Sequence, residues 1–102
     1  MFVALWEHEV KPGSEARFEK LHGPEGDWVR LFRHSRAYKG TRLLRDAGRP
    51  WIYVTMDFWE SRGEYEQFLK DFQKEYGTLD HAGEELTTQE RCAGYFQGIG
   101  ER

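Results

Sequence analysis

Hydrophobic and polar residues alternate along four stretches of the chain in the pattern of β-strands that bury one face. These stretches are residues 2–9, 38–46, 51–59 and 92–99. In the first stretch, every second residue from Phe2 to His8 falls on the same face. The third stretch is the richest in β-branched and aromatic side chains, which strands favour. The sequence therefore predicts four strands, and the glycines of the last one favour an edge position.

Apolar residues recur three or four positions apart after the first strand, which is the spacing of an amphipathic α-helix. This pattern predicts a helix at 14–23, with Ser14 as its N-cap, and a second helical piece at 27–35. The sequence GPEG at 23–26 separates the two pieces. We expect this break to leave a gap above the sheet.

A longer helical pattern follows the third strand. Ser61 and Glu64 form an S-x-x-E capping box at its start. Its apolar stripe contains Tyr65, Phe68, Leu69, Phe72, Tyr76 and Leu79. We expect Gly77 to bend or end this helix, and a helical tail to continue as far as residue 90.

The predicted order of elements is β-α-β-β-α-β within a single domain, residues 1–102. The sequence SEARFEKL at 14–21 matches SRGEYEQF at 61–68 at four positions, an internal similarity with an offset of 47 residues. Two related β-α-β halves are typical of a ferredoxin-like α+β fold, in which both helices cover one face of the sheet.

The other face of such a sheet is left without a covering layer. By strand parity it contains Val3, Leu5, Ile52, Val54, Met56 and Phe58. An exposed apolar patch of this size is unusual in a monomer, and pairing two sheets about a two-fold axis would bury it. We therefore expect a homodimer that forms a dimeric α+β barrel.

The face under the helices combines aromatic and polar side chains. Strand parity places Trp6, His8, Trp51, Tyr53, Thr55, Asp57 and Trp59 there, and the helices add Phe18, Trp28, Phe32, Phe68 and Phe72. An aromatic layer with a few polar groups is typical of a small-molecule pocket. It is equally typical of an ordinary core whose polar tips are hydrogen-bonded.

Charge and cysteine content exclude several classes of function. The formal net charge of −3 argues against a nucleic-acid-binding protein. The first apolar run is too short and too soon followed by acidic residues for a signal peptide or a membrane span, so we expect a cytoplasmic protein without a membrane partner. Cys92 is the single cysteine, and the four histidines lack metal-ligand spacing. The sequence predicts neither a metal nor another cofactor.

Three segments together resemble the dimeric α+β barrel superfamily, and within it the antibiotic biosynthesis monooxygenase group. They are WEHEVKPGSEARFEKLHGPEGDW at 6–28, GTRLLRD at 40–46 and MDFWESRGEYEQF at 56–68. The resemblance covers most of the chain and implies the dimeric barrel fold. Similar chains include cofactor-free oxygenases of quinol-like polyketides, haem-degrading oxygenases and small-molecule isomerases.

The chain departs from the catalytic residues of two branches of that superfamily. The haem-degrading branch uses an Asn, a Trp and a His, and the matching positions here are Trp6, Phe68 and the segment 76–78. The polyketide oxygenases use Asn, Trp and Arg side chains to hold the substrate, whereas this chain contains no Asn. The resemblance therefore does not imply haem degradation, and it supplies an incomplete set of oxygenase residues.

Two functions are consistent with these observations. The first is a cofactor-independent monooxygenase of an aromatic or polyketide-like small molecule, with His8 as the candidate base toward a phenol. The second is a non-catalytic dimeric barrel that binds a small hydrophobic ligand or serves as an assembly module. The candidate substrate-binding residues are Trp6, Trp28, Phe32, Tyr53, Asp57, Trp59, Phe68 and Phe72.

Several of these candidates also have a purely structural interpretation. His8 is then a strand-end histidine paired with a carboxylate, and Trp59 fills the core where a strand meets a helix. Tyr53 and Asp57 either hold a substrate hydroxyl together or are separate polar tips. His22, beside the GPEG break, either lines the mouth of a pocket or is exposed.

Overall fold

The computed structural model describes residues 1–100, so the last two residues of the predicted domain lie outside it. Over these residues, strands and helices follow one another in the order β-α-α-β-β-α-α-β. They are β1 (Phe2–Val10), α1 (Glu15–His22), α2 (Asp27–Phe32), β2 (Tyr38–Arg45), β3 (Ile52–Trp59), α3 (Arg62–Asp71), α4 (Gln73–Glu84) and β4 (Thr87–Gln97).

The strands form an antiparallel sheet in the order β2-β3-β1-β4. This is the ferredoxin-like α+β arrangement, and it confirms the predicted fold class and the edge position of the last strand. The register places Trp6 beside Thr55 and His8 beside Tyr53 on the two central strands. On the other side of β1, His8 is paired with Glu90 of β4.

The core lies between the sheet and the helices, in two groups of buried side chains. The larger one contains Phe2, Ala4, Trp28, Leu31, Phe32, Ala37, Trp59, Tyr65 and Phe68. The smaller one contains Val10, Phe18, Tyr53 and Leu86. Full burial of a large apolar side chain contributes roughly 1.5–3 kcal/mol, so these few rings supply most of the hydrophobic stabilisation.

The GPEG segment separates α1 from α2 as predicted. Gly26 passes so close to the end of α1 that a Cβ atom there would lie 2.2 Å from the carbonyl oxygen of Leu21. Only glycine fits this approach of two backbone segments. The break turns α2 so that Trp28 and Phe32 are buried against the sheet.

The second half of the chain differs from the prediction in two places. The long helix is interrupted at Phe72, where φ is −118°, and α4 then runs through Gly77 without ending. The predicted helical tail is wrong beyond Glu84, because β4 begins at Thr87 instead of residue 92. Leu86 and Thr87 are buried, and the Leu86 carbonyl accepts a hydrogen bond from Lys11, so packing against the end of β1 extends the strand.

The face of the sheet away from the helices contains the predicted apolar patch. Val3, Leu5, Val54, Met56 and Phe58 are partly exposed in the single chain. Leu44 and Phe96, from the edge strands, enlarge the patch and are 48% and 52% exposed. Ile52 is an exception, because it is buried where backbone hydrogen bonds to Arg49 and Asp46 close the hairpin turn.

None of the helices formed by residues 1–100 has the length and apolar character needed to cross a membrane.

Candidate functional site

A cavity of about 50 Å³ lies between the helices and the centre of the sheet. Its aromatic walls are Trp6, Trp28, Phe32 and Tyr76. Its polar lining consists of His8, His22, Thr41, Thr55, Asp57, Asp80 and Glu90. The volume exceeds the roughly 10–15 Å³ that one water molecule needs, and it is below the roughly 300 Å³ of a typical ligand pocket.

A wider cleft of about 420 Å³ lies on the other side of Trp6 and Tyr76, which line both spaces. Its remaining lining comes from α3, from the start of α4 and from β4, namely Tyr65, Leu69, Lys70, Gln73 and Tyr95. The inner cavity therefore adjoins a larger aromatic space across two side chains.

His8 is buried at the centre of the polar lining and uses both ring nitrogens. Its Nδ1 lies 2.6 Å from a carboxylate oxygen of Glu90, and its Nε2 lies 3.0 Å from the Thr55 hydroxyl. An ionised carboxylate can only accept a hydrogen bond, so Nδ1 carries the hydrogen and donates a hydrogen bond to Glu90. In the neutral imidazole, Nε2 is then the acceptor for the Thr55 hydroxyl. The three residues form a hydrogen-bonded chain from Glu90 to the cavity.

His22 lies next to this chain, on the last turn of α1. Its ring stacks on Phe18 with 4.3 Å between centroids, and it lies 5.0 Å from the His8 ring. Burial, followed by the charge of His8, lowers the pKa of His22 to about 3. His22 is therefore neutral near pH 7, and it places an uncharged ring at the cavity wall.

Asp57 lies on β3, two residues beyond Thr55 and on the same face of the sheet. Its Oδ1 accepts a hydrogen bond of 2.8 Å from Thr41, whose oxygen lies 2.6 Å from the Tyr38 hydroxyl. Burial raises the pKa of Asp57 to about 6, against the opposing effects of the Thr41 hydrogen bond and of His8. The carboxyl group therefore exchanges its proton much nearer to neutrality than an exposed aspartate does.

Two side chains of α4 complete the cavity. Tyr76 packs edge-on against Trp28 with 4.9 Å between ring centroids, and burial raises the pKa of its phenol. Asp80 is exposed at the rim, and its pKa is raised by partial desolvation and by the charges of Glu90 and Glu84. Among residues 1–100, no three His, Cys, Asp or Glu side chains are arranged to hold a metal ion.

Five of the predicted site residues meet at this cavity. They are Trp6, His8, Trp28, Phe32 and Asp57. His22 also lines the cavity, which agrees with the first of its two predicted positions, at the mouth of a pocket. The structural interpretation of His8 as a partner of a carboxylate is correct too, because the Glu90 carboxylate is its neighbour.

The four other candidates lie outside the cavity, and their role in substrate binding stays a prediction. Tyr53 donates its hydroxyl hydrogen bond to Glu19 of α1, whereas Asp57 accepts from Thr41. Of the two interpretations of this pair, the structure therefore agrees with the one in which they are separate polar tips. Trp59 is fully buried among other core rings, and Phe68 is buried beside it. Phe72 stacks on Phe68 at the junction of α3 and α4. Their position in the core follows from the helix stripe that packs on the sheet.

Four polar members of the site were absent from the sequence-based candidates, namely Thr41, Thr55, Asp80 and Glu90. The period of two places Thr55 on the same strand face as Asp57, but it was not selected as a candidate. Thr41 lies opposite Asp57 on β2, and this pairing needed the hairpin register. Glu90 had no sequence signal, because the prediction placed it in a helix.

Comparison with known proteins identifies the fold. No protein-family model matches the chain, and no curated protein matches it. Solved structures do match over nearly the whole length. One is a monooxygenase from the gene ActVA-Orf6 of Streptomyces coelicolor, in complex with nanaomycin D. Its TM-score is 0.79 at 16% identity, over 99% of this chain and 89% of that one.

Two further structures agree with this result. SnoaB, a cofactor-independent oxygenase from Streptomyces nogalater, was solved as a mutant and has a TM-score of 0.71 at 20% identity. The match covers 98% of this chain and 97% of SnoaB. Rv0793 from Mycobacterium tuberculosis has a TM-score of 0.72 at 12% identity, over 98% and 96% of the two chains. At these identities the similarity establishes the fold.

Proposed function

We propose that this chain, which has the fold of proteins named antibiotic biosynthesis monooxygenases, is a cofactor-independent monooxygenase of an aromatic or polyketide-like small molecule. The observation that carries the proposal is the aromatic cavity into which the Glu90–His8–Thr55 chain leads. A site that uses no cofactor must activate the substrate itself, and removal of a phenolic proton does so.

His8 is the base in this proposal, and it acts through Thr55. A substrate hydroxyl in the cavity donates to the Thr55 oxygen while the Thr55 proton moves to Nε2 of His8. The resulting imidazolium is stabilised by the Glu90 carboxylate at Nδ1, 2.6 Å away. This arrangement of a buried base oriented by a carboxylate follows the logic of catalytic triads.

The phenolate then reacts with dioxygen without help from a metal or a flavin. It transfers an electron to dioxygen, and the two radicals combine to form a carbon–oxygen bond. One oxygen atom stays in the product and the other leaves as water, together with two hydrogens from the substrate. The protein contributes a site shielded from water, because Trp6, Trp28 and Phe32 line the cavity that receives the reacting end of the substrate.

The size of the two spaces indicates how such a substrate binds. The inner cavity of about 50 Å³ accommodates only the reacting end of a larger molecule. The cleft of about 420 Å³ beyond Trp6 and Tyr76 has the volume for the remaining rings. We therefore place the reactive hydroxyl inside and the body of the substrate in the cleft, with a shift of one or both aromatic side chains.

We also propose that two copies associate through the apolar face of the sheet. Leu44 and Phe96 are exposed in one chain, and a two-fold interface would cover them. It would also cover the partly exposed residues that lie between them on the sheet, namely Val3, Leu5, Val54, Met56 and Phe58. Sedimentation velocity tests this. We expect a dimer for the natural chain and a monomer for Val54→Lys, whereas a monomeric natural chain contradicts this part of the proposal.

Oxygen uptake by the purified, metal-free and flavin-free protein tests the activity. The substrates are a panel of hydroquinones and anthrone-like phenols, each corrected for its autoxidation. We expect uptake that falls by roughly 10²- to 10⁴-fold in His8→Ala, the usual contribution of general base catalysis. His81→Ala is the matched control, because that side chain is 86% exposed on α4 and should leave the rate unchanged.

Each result has a clear meaning. Uptake that is lost in His8→Ala and kept in His81→Ala supports the proposal. Equal uptake in all three proteins contradicts the role of His8. Binding of the phenols without uptake favours the alternative, a barrel that binds a hydrophobic ligand without turnover.

A further inference from the structure

Asp57 is a half-buried carboxyl group in the wall of the cavity, without a cationic partner. Among the ion pairs formed by residues 1–100, none involves Asp57, and its hydrogen bond comes from Thr41. A carboxylate in such a place is expensive unless it is compensated by charge or by several hydrogen bonds. A group retained there at that cost is a candidate for a chemical role.

The direction of the hydrogen bonds identifies which oxygen of Asp57 exchanges a proton. Thr41 donates its only hydroxyl proton to Oδ1, so the Tyr38 hydroxyl must be the donor to Thr41. Oδ1 is therefore held as an acceptor in both protonation states. Oδ2 has no hydrogen-bond partner among the described residues, and Asp57 forms part of the cavity wall. A proton on Oδ2 can be given to a bound molecule and taken back without rearrangement.

We propose that Asp57 is a second catalytic residue of this cavity, an acid that donates the proton on Oδ2 to the peroxide formed when dioxygen adds to the substrate. This inference rests on the proposed monooxygenase function. It divides the proton transfers between His8, which removes the first proton, and Asp57, which lies two residues from Thr55 on the same strand face.

The steps balance. Dioxygen adds to the deprotonated ring at a carbon that carries hydrogen, forming a C–O bond and a peroxide anion. Asp57 protonates this anion and becomes a carboxylate. The carboxylate then removes the C–H proton, and that electron pair forms the carbonyl as the O–O bond breaks. The leaving hydroxide takes the proton held by His8 and departs as water, which restores both residues.

The surroundings of Asp57 fit an acid that works near neutral pH. Its pKa of about 6 leaves both forms populated in that range. The titratable groups that share its surroundings are Tyr38 of β2, His8 of β1, His22 of α1, Tyr76 and Asp80 of α4, and Glu90 of β4. Tyr65 of α3 is also affected, since burial and, among smaller contributions, the charge of Asp57 raise its phenol pKa. Neither Tyr65 nor Tyr76 competes for the proton at neutral pH.

The test measures oxygen consumed and hydrogen peroxide released by the natural chain, Asp57→Asn and the control Asp71→Asn. Asp71 is an exposed carboxylate on α3 that pairs with Gln67 outside the cavity. With a hydroquinone as substrate and no proton donor in the site, the peroxide leaves as hydrogen peroxide, which takes both hydroxyl hydrogens and leaves the quinone. We expect more than half of the oxygen to be recovered as peroxide in Asp57→Asn and very little in the other two proteins.

A second variant separates a chemical role from a structural one. In Thr41→Val the loss of the hydrogen bond on Oδ1 should raise the pKa of Asp57, so the infrared carboxyl band lost in Asp57→Asn should titrate at higher pH. The fraction of consumed oxygen that is released as hydrogen peroxide should shift its pH dependence by the same amount as that band. Thr41 is a positioning residue in this scheme.

The outcomes distinguish the two proposals. Peroxide release confined to Asp57→Asn supports the acid role. Oxygen uptake without peroxide release in Asp57→Asn overturns the acid role and leaves the monooxygenase function intact. Absence of oxygen uptake by the natural chain overturns both. A carboxyl band that is unchanged in Asp57→Asn also overturns the acid role.

Discussion

Trp59 offers the sharpest test of how this core is held together. It is 0% exposed and touches the rings of Phe32, Tyr38, Tyr65 and Phe68. Its indole Nε1 is buried and has no hydrogen-bond acceptor among the described residues. The side chain therefore contributes large apolar contacts and, at the same time, carries an unsatisfied donor. Replacement by Phe and by Ala separates the two effects.

The magnitudes can be worked out from these contacts. Trp59→Phe removes about three heavy atoms from a packed site, which costs roughly 2–3 kcal/mol in transfer and cavity terms. It also removes an unsatisfied N–H whose burial costs roughly 1–3 kcal/mol. The net loss of unfolding free energy should be about 1 kcal/mol. Trp59→Ala loses the aromatic contacts as well, and should cost roughly 3–5 kcal/mol.

Equilibrium urea denaturation measures these changes, at one fixed protein concentration because association would add to the apparent stability. Trp51→Phe is the matched control, since Trp51 is 45% exposed and its replacement should change the free energy by less than about 0.5 kcal/mol. A loss of about 3 kcal/mol or more in Trp59→Phe would refute the reasoning, because the indole N–H would then be satisfied.

Three further predictions concern charge and backbone. Burial raises the pKa of Asp57 to about 6, so the natural chain should lose stability as the pH rises from about 4 through 6. In urea titrations at pH 8, Asp57→Asn should therefore be more stable than the natural chain by roughly 2–3 kcal/mol. The pKa of His22 is lowered to about 3 by burial and by His8, so stability should fall as the pH drops from 6.5 toward 3, and thermal melts of His22→Phe should show a smaller fall. Gly77→Ala, in open space on α4, should raise the free energy of unfolding by roughly 0.5–1 kcal/mol. Gly94→Ala should lower it by roughly 1–3 kcal/mol, because φ is +150° and the new Cβ would lie 2.9 Å from the Phe96 ring. Equal effects of the two substitutions in chemical denaturation would contradict this prediction.

Local sequence patterns predicted much of the fold because they report local geometry. The period of two on β1 and β3 assigned the faces of Trp6, His8 and Asp57 correctly. The Ser61 capping box began α3 as expected, with the Ser61 hydroxyl accepting from the Glu64 backbone N–H at 3.2 Å. The GPEG break also lay where predicted. Each of these signals depends on residues within a few positions of one another.

The same patterns failed where a distant part of the chain decides the conformation. Thr87 and Leu86 were predicted to be helical, yet they are strand and turn because they pack against the end of β1. The interruption at Phe72 has no breaker residue in the sequence. Trp59 and Phe68 lie in the core beside Phe32 of α2 and outside the cavity lining, and for Trp59 this is the structural interpretation drawn from the sequence.

The sequence by itself therefore determined the elements, the sheet faces and the aromatic character of the layer beneath the helices. The tertiary structure decided which polar groups meet. His8 contacts Thr55 and Glu90, residues 47 and 82 positions away, and Asp57 meets Thr41 across the hairpin. The pairing of His8 with Glu90 depends on the register of β4, which shifts at irregularities between Leu5 and Trp6 and between Glu9 and Val10. Register is set by packing over the whole sheet, and for that reason no local pattern contains it.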